Sequence, residues 1–105
     1  MYHDAKELNQ KIGKLSGHFS IEVKKKYYSQ FNRSALSVGL NIAEAAGRYS
    51  DIEMCRHFDI ALGSLAEVVA CADHLKDKDI LTIDRFSEIH NAAFHIAKQI
   101  QGMKH

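Results

Sequence analysis

A run of three lysines followed by two tyrosines is the segment best suited to binding chemistry. Lys24, Lys25 and Lys26 are consecutive, and Tyr27 and Tyr28 follow them directly. Lysine side chains neutralise nucleic-acid phosphates, and aromatic rings stack on unpaired bases. The segment therefore suggests a nucleic-acid surface, with a solvated basic turn over tucked-in tyrosines as the alternative.

The distribution of charge supports a local basic surface rather than a general one. Residues 1–50 contain eight Lys and Arg against four Asp and Glu, whereas residues 51–105 contain six against nine. The net charge of the whole chain is only +1, so a uniform basic coat is excluded. The candidate nucleic-acid-binding residues are Lys24, Lys25, Lys26, Arg33 and Arg48.

A second set of polar residues repeats at helical spacing beyond the lysines. Ser37, Asn41, Glu44 and Arg48 are separated by four, three and four residues, which places them on one helix face. Because polar groups near a core need partners, this face predicts a network between two helices or two subunits. The expected members are Asn41, Glu44, Arg48, Ser64 and Glu67. A ligand or nucleic-acid contact through Arg48 is the alternative.

The same polar residues carry a resemblance to a known family. The motifs are Gln30-x-x-Arg33-x-Ala35, Ser37-x-x-x-Asn41-Ile42-Ala43-Glu44-x-x-Gly47-Arg48-x-Ser50 and Phe58-x-x-Ala61-x-Gly63-Ser64-x-x-Glu67. Together they resemble the four-helix-bundle proteins encoded in intervening sequences of bacterial 23S ribosomal RNA genes. Ala45 departs from the family pattern, which usually has Gly there, and alanine suits a continuous helix.

The resemblance carries expectations about assembly and partners. It implies a ring-like homopentamer and kinship with the accessory variability protein of diversity-generating retroelements. That relative binds nucleic acid and its cognate reverse transcriptase through a basic surface. A reverse transcriptase is therefore a candidate partner on this resemblance alone.

Catalytic and metal-binding chemistry lacks support in the sequence. A carboxylate-bridged di-iron bundle needs Glu-x-x-His, and no glutamate here has histidine three residues later. His90 and His95 are five residues apart, which separates them around a helix and disfavours a zinc site. Cys55 and Cys71 are sixteen residues apart in one predicted helix, too far to form a disulfide. We expect no enzyme activity, no metal and no cofactor.

The elements that position these residues follow from four apolar stripes. Each stripe alternates steps of three and four residues, the pattern of antiparallel helix bundles. Gly17 with Ser20, Gly47 with Ser50, and Thr82 mark the joints between helices. The prediction is an all-α, antiparallel up-down-up-down four-helix bundle, one domain over 1–105, with helices near 2–17, 21–48, 51–77 and 83–103. The stripes are Ala5, Leu8, Ile12, Leu15 and Phe19; Phe31, Ala35, Val38, Ile42, Ala45 and Tyr49; Phe58, Ala61, Leu65, Val68, Ala72 and Leu75; and Phe86, Ile89, Ala93, Ile96, Ile100 and Met103.

The second and third predicted helices carry more apolar surface than one seam needs. The additional residues are Leu36, Leu40, Ala43, Leu62, Ala66 and Val69. They form either a broad core face or a second seam buried against another subunit. Gly39 and Gly63 fall in the middle of these helices, which predicts close helix approach under either interpretation.

These observations define two competing functions. The chain has no apolar run of roughly 18 residues and no secretory layout at its start, so we expect a cytoplasmic protein without membrane association. The leading hypothesis is an oligomeric, non-catalytic adaptor that binds RNA or DNA, with a reverse transcriptase as candidate partner. The alternative is a structural or protein-interaction module that forms a homo-oligomeric ring without nucleic-acid binding.

Overall fold

The protein, a computed structural model described over residues 1–104, is a bundle of four helices. Helix α1 is Tyr2–Ser16, α3 is Asp51–Asp77 and α4 is Ile83–Met103. Helix α2 is one helical run built from Ile21–Val23, a π-helical segment Lys24–Tyr28, and Ser29–Ala46. The bundle measures 44 by 22 by 19 Å. The predicted all-α fold is confirmed, and the helix ends agree with the predicted ones to within two residues.

Three of the four helices begin at a side-chain cap. The hydroxyls of Ser20, Ser50 and Thr82 accept hydrogen bonds from the backbone N–H groups three residues later, at 3.3, 3.1 and 3.1 Å. Each bond satisfies a backbone donor that the first turn of a helix leaves free. Local sequence alone therefore fixes where α2, α3 and α4 start.

Contacts between neighbouring helices show that each pair is antiparallel. Ser16 contacts Asn32, while Ala5 lies beside Gly39, so α1 and α2 run in opposite directions. Hydrogen bonds from Ser34 to Glu67 and between Asn41 and His57 give the same result for α2 and α3. The other two pairs are antiparallel as well. Between α3 and α4, Lys76 lies over Phe86 and Lys104 contacts Asp59. Between α1 and α4, Lys11 lies near Glu88 and Asp4 lies near His95.

The core follows the predicted stripes closely. All six predicted residues of α3 and the central residues of the other three helices are buried. Two predicted stripe residues are exposed. Helix α2 ends at Ala46 and leaves the Tyr49 side chain fully exposed, and Met103, the last residue of α4, is 48% exposed. The prediction that Tyr49 extends the α2 stripe is therefore wrong, since the helical spacing it depended on stops before it.

The two mid-helix glycines have different surroundings. A Cβ atom on Gly39 would lie 3.8 Å from Ala5 Cβ and from Tyr2 Cε1, an ordinary packing distance against α1. A Cβ atom on Gly63 would meet nothing within 4 Å. Close helix approach therefore describes Gly39 but not Gly63 within one chain.

Candidate nucleic-acid surface and polar ladder

The three consecutive lysines lie on the π-helical segment near the start of α2, and all three are exposed. In the described part of the chain, the lysines that form side-chain ion pairs are Lys11, Lys76 and Lys104. The charges of Lys24, Lys25 and Lys26 are thus available to a ligand. π-Helical turns are frequent at functional sites, and this one widens the helix where the lysines leave it.

A cleft of about 420 Å³ gathers two of these lysines with a third from another element. Lys25 and Lys26 line one wall, and Lys78, from the joint between α3 and α4, lines the other. Glu22 contributes a single carboxylate to the same cleft. Sequence reasoning missed Lys78, because it lies 52 positions after Lys26 and only the antiparallel fold brings the two together.

The two tyrosines divide between the core edge and the solvent. Tyr27 is half-buried, with its hydroxyl 3.4 Å from His74 Nε2 and its ring tilted against the imidazole. Tyr28 is 44% exposed, so its ring is open to stacking. The predicted pair of free rings is therefore one free ring and one ring that packs on α3.

Arg33 and Arg48 lie at different distances from the lysines. Arg33 is exposed on α2, seven residues beyond Lys26, or about 10 Å along the axis. Arg48 follows the opposite end of α2, about 30 Å away. Its guanidinium pairs with the carboxylate of Glu44. Arg48 therefore lies outside the lysine segment, because the length of α2 separates them, and a nucleic-acid contact through Arg48 stays a prediction.

Polar side chains form three rungs between α2 and α3, which we call the polar ladder. Ser34 donates to Glu67 at 2.9 Å, the hydroxyls of Ser37 and Ser64 lie 2.8 Å apart, and Asn41 Oδ1 lies 3.2 Å from His57 Nδ1. Asn41 also donates to the carbonyl and hydroxyl of Ser37 at 2.9 and 3.1 Å. Since Ser34 and Ser64 are buried, these bonds satisfy groups that would otherwise destabilise the core edge.

The polar ladder differs from the predicted network in its membership. It contains Asn41, Ser64 and Glu67, but within one chain Glu44 and Arg48 do not join it. Those two are exposed and pair with each other along α2, because Glu44 lies further round the helix than Asn41. Sequence reasoning missed Ser34 and His57, although Ser34 continues the Ser37 and Asn41 spacing one turn earlier.

A groove of about 810 Å³ runs between α1 and α4. Its charges largely cancel, because its lining holds three carboxylates and three Lys or Arg side chains. Among these, Lys11 lies 3.9 Å and Arg85 3.3 Å from oxygens of Glu88. A groove with neutralised walls selects neither sign of ligand. It is a weaker candidate for phosphate binding than the lysine cleft.

The remaining reactive residues are not gathered into a centre. Cys55 and Cys71 are free and half-buried, and burial raises the pKa of the Cys71 thiol. Over residues 1–104, no cluster of three His, Cys, Asp or Glu side chains is arranged to hold a metal ion. None of the helices in that range is long and apolar enough to cross a membrane.

The fold defines the class of the protein, which is the small four-helix bundles. A family model described as 23S rRNA-intervening sequence protein matches residues 1–102. The chain belongs to that family, as its motifs predicted.

One solved structure places the fold in context. A protein of unknown function from the S23 ribosomal protein family of Bacteroides thetaiotaomicron VPI-5482 superimposes with a TM-score of 0.86. The two sequences are 21% identical, and the match covers 98% of this chain and 96% of that one. A comparison with curated proteins gave no match. Neither the family description nor that of the solved structure specifies a catalytic activity.

Proposed function

We propose that this protein is an oligomeric, non-catalytic adaptor that binds RNA or DNA through the lysine cleft. The observation that carries the proposal is the cleft itself, where Lys25, Lys26 and Lys78 converge from two elements. Three cations around one opening favour a phosphate backbone over a neutral ligand. Tyr28 supplies an exposed ring nearby for an unpaired base.

Oligomerisation would strengthen such a site. A single cleft with a few lysines gives modest affinity, but copies around a ring act on the same nucleic acid at high effective concentration. Exposed Leu36 and Leu40 support assembly, because contiguous apolar surface on a small protein marks interaction sites. A homopentamer and a reverse transcriptase partner belong to the proposal through family kinship.

The test compares two variants with the same change in net charge. Lys25→Glu with Lys26→Glu removes the cleft cations, whereas Lys6→Glu with Arg56→Glu changes exposed cations at the other end of the bundle. Retention of single-stranded and structured RNA and of single-stranded DNA is measured at low salt. We expect the cleft variant to lose at least tenfold in affinity and the control to stay within about twofold.

Salt dependence provides the second readout. Binding through phosphates should weaken steeply as the salt concentration rises. The slope of log affinity against log salt concentration should become shallower when cleft lysines are removed. A parent protein that retains neither RNA nor DNA at low salt would refute the proposal. That result would favour the alternative, a structural or protein-interaction module whose exposed leucines pack against other subunits.

A further inference from the structure

Two apolar surfaces lie on different sides of the bundle. The first, which we call the ridge, runs along the outer side of α2, where Leu36 and Leu40 are 49% and 55% exposed between the charged Arg33 and Glu44. The second, which we call the groove, is an opening of about 620 Å³ between α3 and α4. Its apolar lining includes Leu62, Ala66, Val69, Phe86, Phe94 and Ala97.

We propose that the ridge of one copy packs into the groove of the next copy. The proposal rests on the oligomeric adaptor proposed above and assigns the surfaces that its assembly uses. Because ridge and groove are different patches, the contact is heterologous, and repetition of a heterologous contact closes a ring when the rotation between copies allows.

The spacing of the two surfaces matches when the helices run in opposite directions. The ridge stripe Arg33, Leu36, Leu40 and Glu44 steps by three, four and four residues. The α3 stripe Asp73, Val69, Ala66 and Leu62 steps back by four, three and four. Each stripe advances eleven positions from its first residue to its last, about 16.5 Å along a helix. An antiparallel contact therefore places each ridge residue beside its counterpart on α3 within one position.

Charges at the two ends of the groove favour that direction. Asp73 lies at one end, with its carboxylate 2.9 Å from Lys76 Nζ. Lys98 lies at the other end, with its Nζ 5.6 Å from the ring centroid of Phe94. The antiparallel contact brings Arg33 to Asp73 and Glu44 towards Lys98. The parallel contact would bring Arg33 towards Lys98 instead, and like charges at that end cost free energy and disfavour the parallel orientation.

Ring symmetry requires the same direction. When copies are related by rotation about an axis along the bundle, α2 points the same way in every copy and α3 points the opposite way. The α2 helix of one copy must then meet the α3 helix of its neighbour antiparallel. The lysine clefts of all copies would face the same rim of the ring.

Two exposed-surface variants test the contact. Leu36→Asp with Leu40→Asp removes the ridge, and Ala66→Asp with Phe94→Asp removes the groove; all four positions are exposed, so the fold should persist. Each variant alone should run as an 11.8 kDa monomer with parental helicity. An equimolar mixture should give a species of twice that mass, because one intact ridge and one intact groove remain.

A charge exchange tests the register independently. Arg33→Asp and Asp73→Arg should each lower the assembled fraction at least fivefold, and the double variant should restore it, since every interface then regains an opposite pair. As a matched control, Arg56→Asp changes an exposed arginine outside both surfaces and should leave the assembled mass unchanged.

The outcomes separate this proposal from the nucleic-acid function. Ridge and groove variants that keep the parent mass, or monomeric variants that fail to pair on mixing, would overturn the proposal and leave the groove to a different partner or to none. A monomeric parent would overturn it as well, together with the oligomeric part of the function. RNA retention by the monomeric ridge variant at low salt reports on the lysine cleft separately.

Discussion

Asn41 is the residue that joins the polar ladder along α2 and across to α3. It donates to Ser37 on its own helix and lies within hydrogen-bond distance of His57 on the next. We expect Asn41→Ala to lower the free energy of unfolding by about 1–3 kcal/mol, because it leaves partners at the core edge unsatisfied. Urea unfolding followed by circular dichroism measures the change.

Glu44→Ala is the matched control for that substitution on the same helix. Glu44 pairs with Arg48 in an exposed i,i+4 arrangement, which contributes only about 0.3–0.5 kcal/mol. Equal losses for Asn41→Ala and Glu44→Ala would contradict the distinction between ladder and surface pair. A double-mutant cycle of Asn41 and His57 would then locate the missing coupling.

Cys71 offers a prediction about pH. Burial raises the pKa of its thiol, so the folded protein holds less thiolate at neutral pH than the unfolded chain does. In a Cys55→Ser background, the pH at which iodoacetamide labelling reaches half its maximal rate should be higher in buffer than in urea. If the labelling midpoint were at the same pH in buffer and in urea, burial would not be raising the pKa of the Cys71 thiol in the folded protein.

Sequence reasoning found half of the polar ladder, and its errors have a geometric cause. Spacing along α2 identified Asn41, but it could not separate Asn41 from Glu44, which lies one turn away and further round the helix. His57 was missed because its partner is defined by the pairing of two helices and not by any local motif. The periodicity of side chains identifies one face of a helix, but only the packing of that helix against its neighbours decides which edge of the face is buried.

Among the helices, α3 carries an exposed glycine that can be replaced without collision. Gly63 lies in the middle of the helix, and an added Cβ meets nothing within 4 Å. We expect Gly63→Ala to raise the free energy of unfolding by about 0.5–1 kcal/mol, because alanine loses less backbone entropy in a helix. Thermal unfolding of the two proteins under identical conditions measures the gain.

Ala70→Gly is the reverse control, since Ala70 is exposed two turns further along α3. Ala70→Gly should lower the free energy of unfolding by an amount similar to the gain expected for Gly63→Ala. If Gly63→Ala destabilised the protein while Ala70→Gly behaved as expected, some contact outside the single chain would have to occupy the space beside Gly63.

Helix boundaries were predictable, whereas the internal geometry of α2 was not. Caps at Ser20, Ser50 and Thr82 are local signals, so the starts of three helices follow from the sequence. The π-helical segment Lys24–Tyr28 leaves no comparable signal. It lies where the apolar stripe of α2 has not yet begun, and periodicity therefore could not register the wider turn.

For the molecule as a whole, the lysine end combines two of the three joints. Lys78 lies after α3, and Lys25 and Lys26 lie near the start of α2, so the cleft exists only in the folded bundle. We expect Lys78→Glu to reduce RNA affinity at low salt about as much as Lys26→Glu, although the two residues are far apart in sequence. Filter retention at several salt concentrations measures both.

Lys6→Glu supplies the control, since it makes the same charge change on α1 away from the cleft and from both assembly surfaces. The RNA affinity of this control variant should remain within about twofold of that of the parent protein. Loss of binding in all three variants would indicate that net charge alone drives retention, contrary to a defined cleft.

The cleft could not be predicted from the sequence, because only the tertiary fold joins Lys78 to the lysine run.

The even number of antiparallel helices has a consequence for chain connectivity. Met1 precedes α1 and Lys104 follows α4 at the end of the bundle opposite the lysine cleft, where Lys104 contacts Asp59. A circular permutant that joins the end of α4 to the start of α1 and opens the chain between α2 and α3 would interrupt no rung of the polar ladder. We therefore expect the permutant to keep the packing of the four helices, since the order of helices in the polypeptide is separable from their contacts.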